Sequence, residues 1–367
     1  MKFCNYNLVH ILILPILFSS ISFNSNFPGE GDNNSNNGYN LFSLNFLQNS
    51  YAIEIDENDK DNIEKQEEKN DKDSKETKED ESANNNKEGK AGFNFVAVGD
   101  WDCTSETEDT VDNIIKQDPE LVLALGDLSY NGKSECWLDL IEPIADKTKI
   151  VIGNHEVDSS KLRKDYMNYF GLENQYYSFN EKNIHFLALS TETSFDDDSE
   201  QYQFAIQDLE KYSKDPFIDW VIVFYHKYIY GSGSGIEVEK DFRETYHPVF
   251  DKYKVDLALQ GHLHVYERTY PITFNEDDED EPIVHDSNPN IYKNPKGTIF
   301  VTVGTGGAHD MQLSSLNDYS AQGIAGEFGI LNIEIENDQT PLSGQFIENG
   351  KKQKISDEFK IIKDNKS

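Results

Sequence analysis

Five short segments of the sequence carry side chains that bind metals, and most of them begin with glycine. They read Gly99-Asp100-Trp101-Asp102, Gly126-Asp127-Leu128-Ser129-Tyr130, Gly153-Asn154-His155-Glu156, Tyr225-His226 and Gly261-His262-Leu263-His264. Carboxylate, amide oxygen and imidazole groups suit hard to borderline cations. Two cations roughly 3.5–4 Å apart can clamp a phosphoryl group, and one carboxylate would then bridge them. The segments therefore predict a site for two metal ions.

Buried strands are the elements that would position these segments. Apolar runs precede the first three segments, at 95–98, 121–125 and 150–152. Continuous apolar runs of this length are typical of strands that are covered on both faces, as in parallel sheets. Because the carboxyl ends of such strands open on one crevice, we expect the polar residues that follow them to converge there.

The segments resemble the motif series of calcineurin-like metallophosphoesterases and, more narrowly, of purple acid phosphatases of the small form, without the amino-terminal β-sandwich of the plant enzymes. The resemblance is carried by Asp100, by the strings Gly-Asp-Leu-Ser-Tyr and Gly-Asn-His-Glu, by His226 after an apolar strand, and by Gly-His-Leu-His-Val-Tyr-Glu-Arg. It extends from Phe93 to the glycine-rich loop at 304–307. One such string would be weak evidence, but five in the same order are specific.

The resemblance implies hydrolysis of phosphate monoesters by attack of a metal-bound hydroxide. Two other functions stay open. One is a phosphodiesterase or nucleotide pyrophosphatase on the same scaffold, and the other is a tethered binding protein that keeps its metals without turnover.

The resemblance also implies two metal positions that share Asp127. The first position would use Asp100, Asp127, Tyr130 and His264, and the second would use Asp127, Asn154, His226 and His262. A tyrosinate at Tyr130 implies iron(III) in the first position, with iron(II), zinc or manganese in the second. Taken singly, an Asp at a strand end is often a helix cap, but the order of the whole set favours metal binding.

Other residues near these motifs would act on the substrate. By resemblance, His155 would lie near the leaving oxygen and donate a proton to it. Purple acid phosphatases place further histidines after the lone ligand histidine, whereas residues 227–235 contain none. Substrate binding would then depend on His155, Tyr228, Tyr230 or His309.

Asp102 departs from the family pattern, which has glycine or histidine at this place. It could be an extra ligand, an outer hydrogen-bond acceptor or a solvated carboxylate. We favour the last two, because Tyr130 already completes the first ligand set.

The fold class that the resemblance implies is α/β, with two facing mixed sheets flanked by helices. The spacing of apolar residues is compatible with it, since strand–helix alternation gives way to a strand-rich end. It predicts helices over 107–117, 136–144, 161–170, 201–214 and 240–253. It predicts further strands over 183–189, 220–225, 256–260, 298–303, 329–335 and 343–347.

Composition limits the partners. The chain has 367 residues, and 68 acidic against 33 basic side chains give a formal net charge of −35. Such a chain repels nucleic-acid backbone and anionic lipid. A small phosphorylated substrate remains compatible, because two metal ions would dominate the local field. The sequence gives no indication of the oligomeric state.

The amino-terminal part predicts export. An apolar stretch, Leu8 to Phe23, and the small residues of Ser50-Tyr51-Ala52 indicate a leader over 1–52 that is cleaved after Ala52. Residues 53–92 are nearly all polar and predict a disordered acidic linker. The catalytic domain would then span 93–350, with a tail or a last edge strand over 351–367. We expect a secreted or surface-tethered protein, without stable membrane insertion unless the leader is retained.

Two further features have alternative interpretations. Cys103 and Cys136 follow the first and second motifs, and loops at the same end of neighbouring strands could bring them within disulfide distance. The alternative is a pair of free buried thiols. The acidic run from Glu276 to Glu281 is either a surface loop, which we favour, or a loop that collects calcium or other cations.

Overall fold

The structure is a computed structural model that describes residues 92–233, 236–309, 311–313, 315–336 and 341–364. The predicted leader, 1–52, lies outside the described residues, as does the predicted linker up to residue 91. Among the described residues, no helix is both long enough and apolar enough to cross a membrane.

Sixteen strands and six α-helices make up the described chain. The strands are β1 (Phe93–Val98), β2 (Leu121–Ala124), β3 (Thr148–Ile150), β4 (Tyr177–Glu181), β5 (Ile184–Ala188), β6 (Trp220–Lys227), β7 (Leu257–Gly261), β8 (Tyr266–Thr269), β9 (Ile272–Thr273), β10 (Ile283–Val284), β11 (Ile291–Lys293), β12 (Ile299–Val303), β13 (Ser320–Ile324), β14 (Gly329–Ile335), β15 (Leu342–Glu348) and β16 (Ile355–Ile362). The helices are α1 (Ser105–Gln117), α2 (Ser134–Leu140), α3 (Asn154–Val157), α4 (Ser160–Tyr169), α5 (Glu200–Tyr212) and α6 (Lys240–Tyr253), and a 3-10 helix spans Glu142–Lys147.

Two seven-stranded sheets contain nearly all of these strands. The first sheet has the order β11-β16-β15-β14-β1-β2-β3, and the second has the order β13-β8-β12-β7-β6-β5-β4. Strands β1, β2 and β3 run parallel, as do β5, β6, β7 and β12, while β14, β15 and β8 pair antiparallel with their neighbours. Both sheets are therefore mixed, and the predicted fold of two mixed sheets flanked by helices is confirmed.

The sheets face each other across one apolar core. Phe95 of β1 meets Phe186 of β5 edge to face, with ring centroids 5.3 Å apart. Strand β6 alternates between two cores: Phe224 joins the core between the sheets, whereas Tyr225 joins a second core under helices α5 and α6. Burial on both faces explains why β6 is apolar from Trp220 to Tyr225, as expected for a central parallel strand.

A buried ion pair joins the two sheets. The Arg268 guanidinium on β8 donates to both carboxylate oxygens of Asp357 on β16, at 2.7 and 2.9 Å. The Tyr266 hydroxyl donates to the same carboxylate at 2.7 Å, and Arg268 also donates to the Tyr292 hydroxyl. All four side chains are buried. Since each charge is paired and hydrogen-bonded, the pair can be accommodated in the core.

Most predicted elements are present, with local differences. The predicted helix over 136–144 ends at Leu140 and continues as the 3-10 helix, which has Pro143 in its first turn. Proline lacks an N–H and cannot continue the α-helical bonding. Within the carboxyl-terminal segment, β16 lies between β15 and β11, so β11 and not β16 forms the edge of the sheet.

Candidate metal centre

The polar segments meet where the two sheets approach each other. Asp100 and Asp127 follow strands β1 and β2, and Asn154 follows β3 after a short link. The second sheet contributes His226 near the end of β6 and His262 directly after β7. A backbone hydrogen bond links the two sheets at this edge: the N–H of Gly99, after β1, donates to the carbonyl of Val303, at the end of β12, at 2.8 Å. The convergence expected from parallel strands is therefore what the fold provides.

Three of the predicted ligands have unusual backbone geometry. Asp100, Asp127 and His262 have φ angles of 59°, 49° and 68°. Left-handed geometry is costly for residues other than glycine, and it persists only where surrounding contacts hold it. Here those contacts exist: the N–H of His262 donates to Asp100 Oδ2 at 2.8 Å, and the N–H of His155 donates to Asp127 Oδ1 at 2.9 Å.

The four predicted ligands of the first position lie together. The Tyr130 hydroxyl oxygen is 3.1 Å from Asp100 Oδ1, 3.3 Å from Asp127 Oδ2 and 2.9 Å from His264 Nε2. His264 Nε2 is 3.2 Å from Asp100 Oδ1. One hydroxyl proton cannot satisfy three such neighbours. A cation bound among these three oxygens and one nitrogen would satisfy all four atoms, which the single proton cannot do.

The four predicted ligands of the second position are also adjacent. His226 Nε2 is 3.0 Å from Asn154 Oδ1 and 3.2 Å from Asp127 Oδ2. The ligand atoms of Asp127, His226 and His262 all lie within 4.8 Å of one another. Asp127 Oδ2 thus approaches atoms of both sets, which is the arrangement that a bridging carboxylate requires.

The hydrogen bonds of the histidines test whether metals fit this site. His226 Nδ1 donates to the carbonyl of Leu125 at 2.8 Å, and His264 Nδ1 donates to the carbonyl of His309 at 2.6 Å. These bonds fix the tautomer, so each Nε2 directs its lone pair at a carboxylate. Lone pair and carboxylate repel each other unless a proton or a cation lies between them, and the donor set therefore fits a cation.

The charges around the carboxylates lead to the same conclusion. Asp100 and Asp127 are 0% and 1% exposed, and within the described ranges their ion-pair partners are histidines, with no Lys or Arg. Burial alone would lower the pKa of His226, but the adjacent Asp127 carboxylate raises it to about 10. Burial and the Asp100 and Asp127 carboxylates raise the pKa of the Tyr130 hydroxyl well above its ordinary value. Without a metal, protons must balance the buried negative charge.

The structure places the remaining predicted site residues at different distances from this cluster. His155 is at its edge, with a side chain 36% exposed, Nε2 3.9 Å from Asp127 Oδ2 and its ring centroid 4.1 Å from that of Tyr130. His309 is exposed, and its ring centroid is 4.8 Å from that of His264. Asp102 turns back to accept the N–H of Cys103 at 2.8 Å.

The two predicted tyrosines have other partners. The Tyr228 hydroxyl donates to the carbonyl of Ile236, while its ring centroid is 6.2 Å from that of His262. Tyr230 lies in the second core, where its hydroxyl is 2.8 Å from His247 Nδ1. Contact of either tyrosine with substrate stays a prediction.

The acidic run from Glu276 to Glu281 joins β9 and β10. Its Asp280 is paired with Lys240 at 2.7 Å and with the buried Arg243, both on helix α6. These contacts fasten the loop to α6.

Sequence reasoning did not assign a role to Glu156, which is completely buried. Its carboxylate accepts the N–H groups of Asp127, Leu128 and Gly153 at 2.9, 2.9 and 2.8 Å. It therefore holds the turn that carries the shared ligand. Its position three residues after Gly153 was the available signal, since a Glu at this place in a helix reaches back to the N-cap backbone.

A disulfide joins Cys103 to Cys136, which are 33 positions apart in sequence and have Cα atoms 6.0 Å apart. Cys103 follows the Asp100 turn, and Cys136 is on α2, which follows Tyr130. The bridge thus connects the two segments that supply most of the first ligand set.

Replacing both cysteines with serine should lower the free energy of unfolding by up to about 4 kcal/mol. The reason is that the bridge reduces the conformational entropy of the unfolded chain. Urea denaturation of the oxidised wild type and of the variant measures the difference. Mass spectrometry without reductant should find the two cysteine peptides linked. Two thiols that alkylate in native protein would contradict the bridge.

Comparisons with known proteins agree with this fold. The family model described as calcineurin-like phosphoesterase matches residues 93–266. Purple acid phosphatase 22 of Arabidopsis thaliana is 30% identical over 233 residues, which are 58% of this chain and 50% of the relative. Probable inactive purple acid phosphatase 27 of the same plant is 31% identical over 265 residues, covering 61% of this chain and 42% of the relative.

The solved structure of a purple acid phosphatase from yellow lupin (Lupinus luteus) seeds has a similar fold. It is 25% identical with a TM-score of 0.66, over 75% of this chain and 54% of the lupin chain. The chain spans about half the length of the relatives that it matches. The chain is therefore similar over residues 93–266 to the calcineurin-like phosphoesterase family, and similar in sequence and in fold to the purple acid phosphatases.

Proposed function

We propose that this protein is a phosphatase that hydrolyses small phosphate monoesters with the help of two metal ions, in the manner of purple acid phosphatases. The observation that carries the proposal is the pair of four-residue ligand sets that share Asp127. The similarity to purple acid phosphatases supports the same reaction class.

The residues divide into metal-holding and substrate-facing groups. Asp100, Asp127, Tyr130 and His264 would hold the first ion, and Asp127, Asn154, His226 and His262 would hold the second. When bound, two such ions supply positive charge to the phosphoryl oxygens and make water a stronger nucleophile at neutral pH. The protein itself supplies orientation, because buried hydrogen bonds to carbonyl groups orient the rings of His226 and His264 without an ion.

His155 is the candidate proton donor to the leaving oxygen. Its ring is partly exposed at the edge of the cluster, and its backbone N–H is fixed to Asp127 Oδ1. A histidine in this position can hold a proton at Nε2 and transfer it as the ester bond breaks. Of the other predicted substrate residues, we retain His309, because it is exposed beside His264.

The direct test is hydrolysis of p-nitrophenyl phosphate and of bis(p-nitrophenyl) phosphate by protein of known metal content. We expect a higher kcat/KM for the monoester. A preference for the bis-ester would favour the phosphodiesterase alternative on the same scaffold. A protein that holds two ions per chain and turns over neither ester would favour a binding role.

We further propose iron(III) beside Tyr130, with iron(II), zinc or manganese in the second position. A tyrosinate bound to iron(III) should give a broad visible band that Tyr130→Phe abolishes. Tyr166→Phe is the matched control, since that nearby hydroxyl donates to Ser129 and not to a predicted ligand. A colourless, active protein with two zinc or manganese ions would contradict the iron assignment but not the phosphatase.

The proposal includes export from the cytoplasm. A disulfide between Cys103 and Cys136 supports it, because such bonds persist in oxidising compartments. Detection of the protein in the culture medium of the cells that make it tests this part.

A further inference from the structure

Like Glu156, the side chain of Glu267 is a buried carboxylate to which the proposed reaction assigns no role. It follows the turn His262-Leu263-His264, which we call the ligand turn. Glu267 on β8 is 2% exposed. It accepts the N–H and the hydroxyl of Ser232, both at 2.6 Å, and the hydroxyl of Ser320 at 2.5 Å. Among the described residues it has no Lys, Arg or His ion-pair partner. A buried charge without a counter-ion is costly unless hydrogen bonds compensate it, so its bonds to Ser232 have structural importance.

Ser232 belongs to a segment that packs against the ligand turn. A Cβ added to Gly233 would lie 2.2 Å from Leu263, and one added to Gly231 would lie 3.1 Å from it. Leu263 separates His262 from His264 in the sequence. Only glycine permits such a close approach. The segment therefore packs directly against the Leu263 side chain.

Asn317 also holds the segment 231–233 in place through hydrogen bonds. Its N–H donates to the Ser232 hydroxyl at 2.9 Å, and its side-chain amide donates to the carbonyl of Gly231 at 3.0 Å. With Glu267, the segment is held by bonds from β8 and from the chain before β13.

His262 is the ligand that most depends on this packing. Its backbone is in the left-handed region and its N–H is bonded to Asp100. Its ring is flanked by His226 and Tyr228, with centroids 5.0 and 6.2 Å away, and no hydrogen bond from either ring nitrogen to another described residue is found. Gly231 approaches the Tyr228 ring closely, since a Cβ added to it would lie 2.9 Å from that ring. By contrast, His226 and His264 are each oriented by a carbonyl.

We propose that Glu267 is a positioning residue for the second metal position, acting through Ser232 and Leu263 on His262. The inference rests on the proposed dinuclear centre. It assigns Glu267 no contact with substrate or metal. The role of Glu267 is specific to the second metal position, because other contacts orient the ligands of the first position.

The test compares two replacements of Glu267 in the whole protein. Glu267→Ala removes every acceptor, whereas Glu267→Gln keeps an acceptor for the Ser232 N–H, and its amide can donate to the rotatable hydroxyls. We expect Glu267→Ala to lower the affinity for the second ion about 10–100-fold, the range found when outer partners of metal ligands are removed. The visible band of Tyr130 should persist. Glu267→Gln should restore two ions per chain.

Metal content is measured by mass spectrometry of metals after dialysis against graded zinc, manganese or iron with a chelator. Ser232→Ala keeps the backbone N–H bond to Glu267 but loses the hydroxyl, which donates to Glu267 and accepts from the Asn317 N–H. It should show a smaller effect in the same direction, and it is the deciding variant if Glu267→Ala does not fold. Ser178→Ala is the matched control, because it removes a serine–carboxylate bond to Asp208 elsewhere. It should bind both ions normally.

The outcomes separate this inference from the proposed function. If Glu267→Ala binds both ions with unchanged affinity, the positioning role is wrong, but the proposed phosphatase function is not affected. The same conclusion follows from Ser232→Ala if Glu267→Ala does not fold. Equal loss of both ions would also overturn it, since the effect would then be general. A wild-type protein that never binds a second ion would overturn the dinuclear centre and this inference with it.

Discussion

Asp127→Asn is expected to release both metal ions and to abolish most turnover. Asp127 Oδ2 is 3.3 Å from the Tyr130 hydroxyl and 3.2 Å from His226 Nε2, so it serves both sets. Asparagine keeps the shape and tolerates the left-handed backbone, and the change removes chiefly the negative charge. The loss of affinity should exceed about 100-fold, since even outer partners of metal ligands contribute 10–100-fold.

Asp102→Asn is the matched control for this prediction. Asp102 also has a left-handed φ, of 65°, but its side chain accepts from Cys103 and not from the cluster. Metal analysis and hydrolysis of p-nitrophenyl phosphate should leave the control close to wild type. Two ions per chain in Asp127→Asn, with normal turnover, would contradict the shared-ligand assignment.

Asp357→Ala should reduce the free energy of unfolding by about 3–5 kcal/mol, the range for removing one partner of a buried ion pair. The reason is that Arg268, which is 1% exposed, would keep its charge in the core without a carboxylate. Tyr266 would lose its acceptor as well. The change in the urea midpoint of the folded domain measures the effect.

A surface ion pair provides the comparison. Lys214 is 2.8 Å from Glu210, and their side chains are 69% and 56% exposed. Lys214→Ala should cost less than about 1 kcal/mol, as exposed pairs usually do. Similar losses in both variants would show that the link between the sheets contributes little. The double replacement Arg268→Met with Asp357→Leu should cost less than Asp357→Ala alone, because no unpaired charge remains.

The sequence predicts the sheet core well, and it predicts that the candidate ligands converge, for a physical reason. Strands such as β2 and β6 are buried on both faces, so their apolar runs are continuous and can be recognised without knowledge of their neighbours. The predicted ligands directly follow such runs. Their convergence then depends only on the parallel arrangement of the strands.

Strands β8 and β16 were harder to predict, because they bury charged residues. Glu267, Arg268 and Asp357 look like surface residues in sequence, and their partners are far along the chain. The same applies to Glu156, whose three backbone donors include Asp127 and Leu128 on another loop. The Tyr230 hydroxyl likewise has a partner that is distant from the ligand motifs, His247 Nδ1 at 2.8 Å. Such pairings are decided by tertiary contacts that local pattern does not contain.

Each of the two ligand sets draws on both sheets. The first takes Asp100, Asp127 and Tyr130 from the first sheet side and His264 from the second, while the second set divides evenly. An ion bound to either set would therefore act as a cross-link between the sheets that exists only in the folded chain. Its binding energy would count towards folding, and stability would rise with the logarithm of the free metal concentration above the dissociation constant. Metal supply would then control how long the protein survives as well as how fast it works.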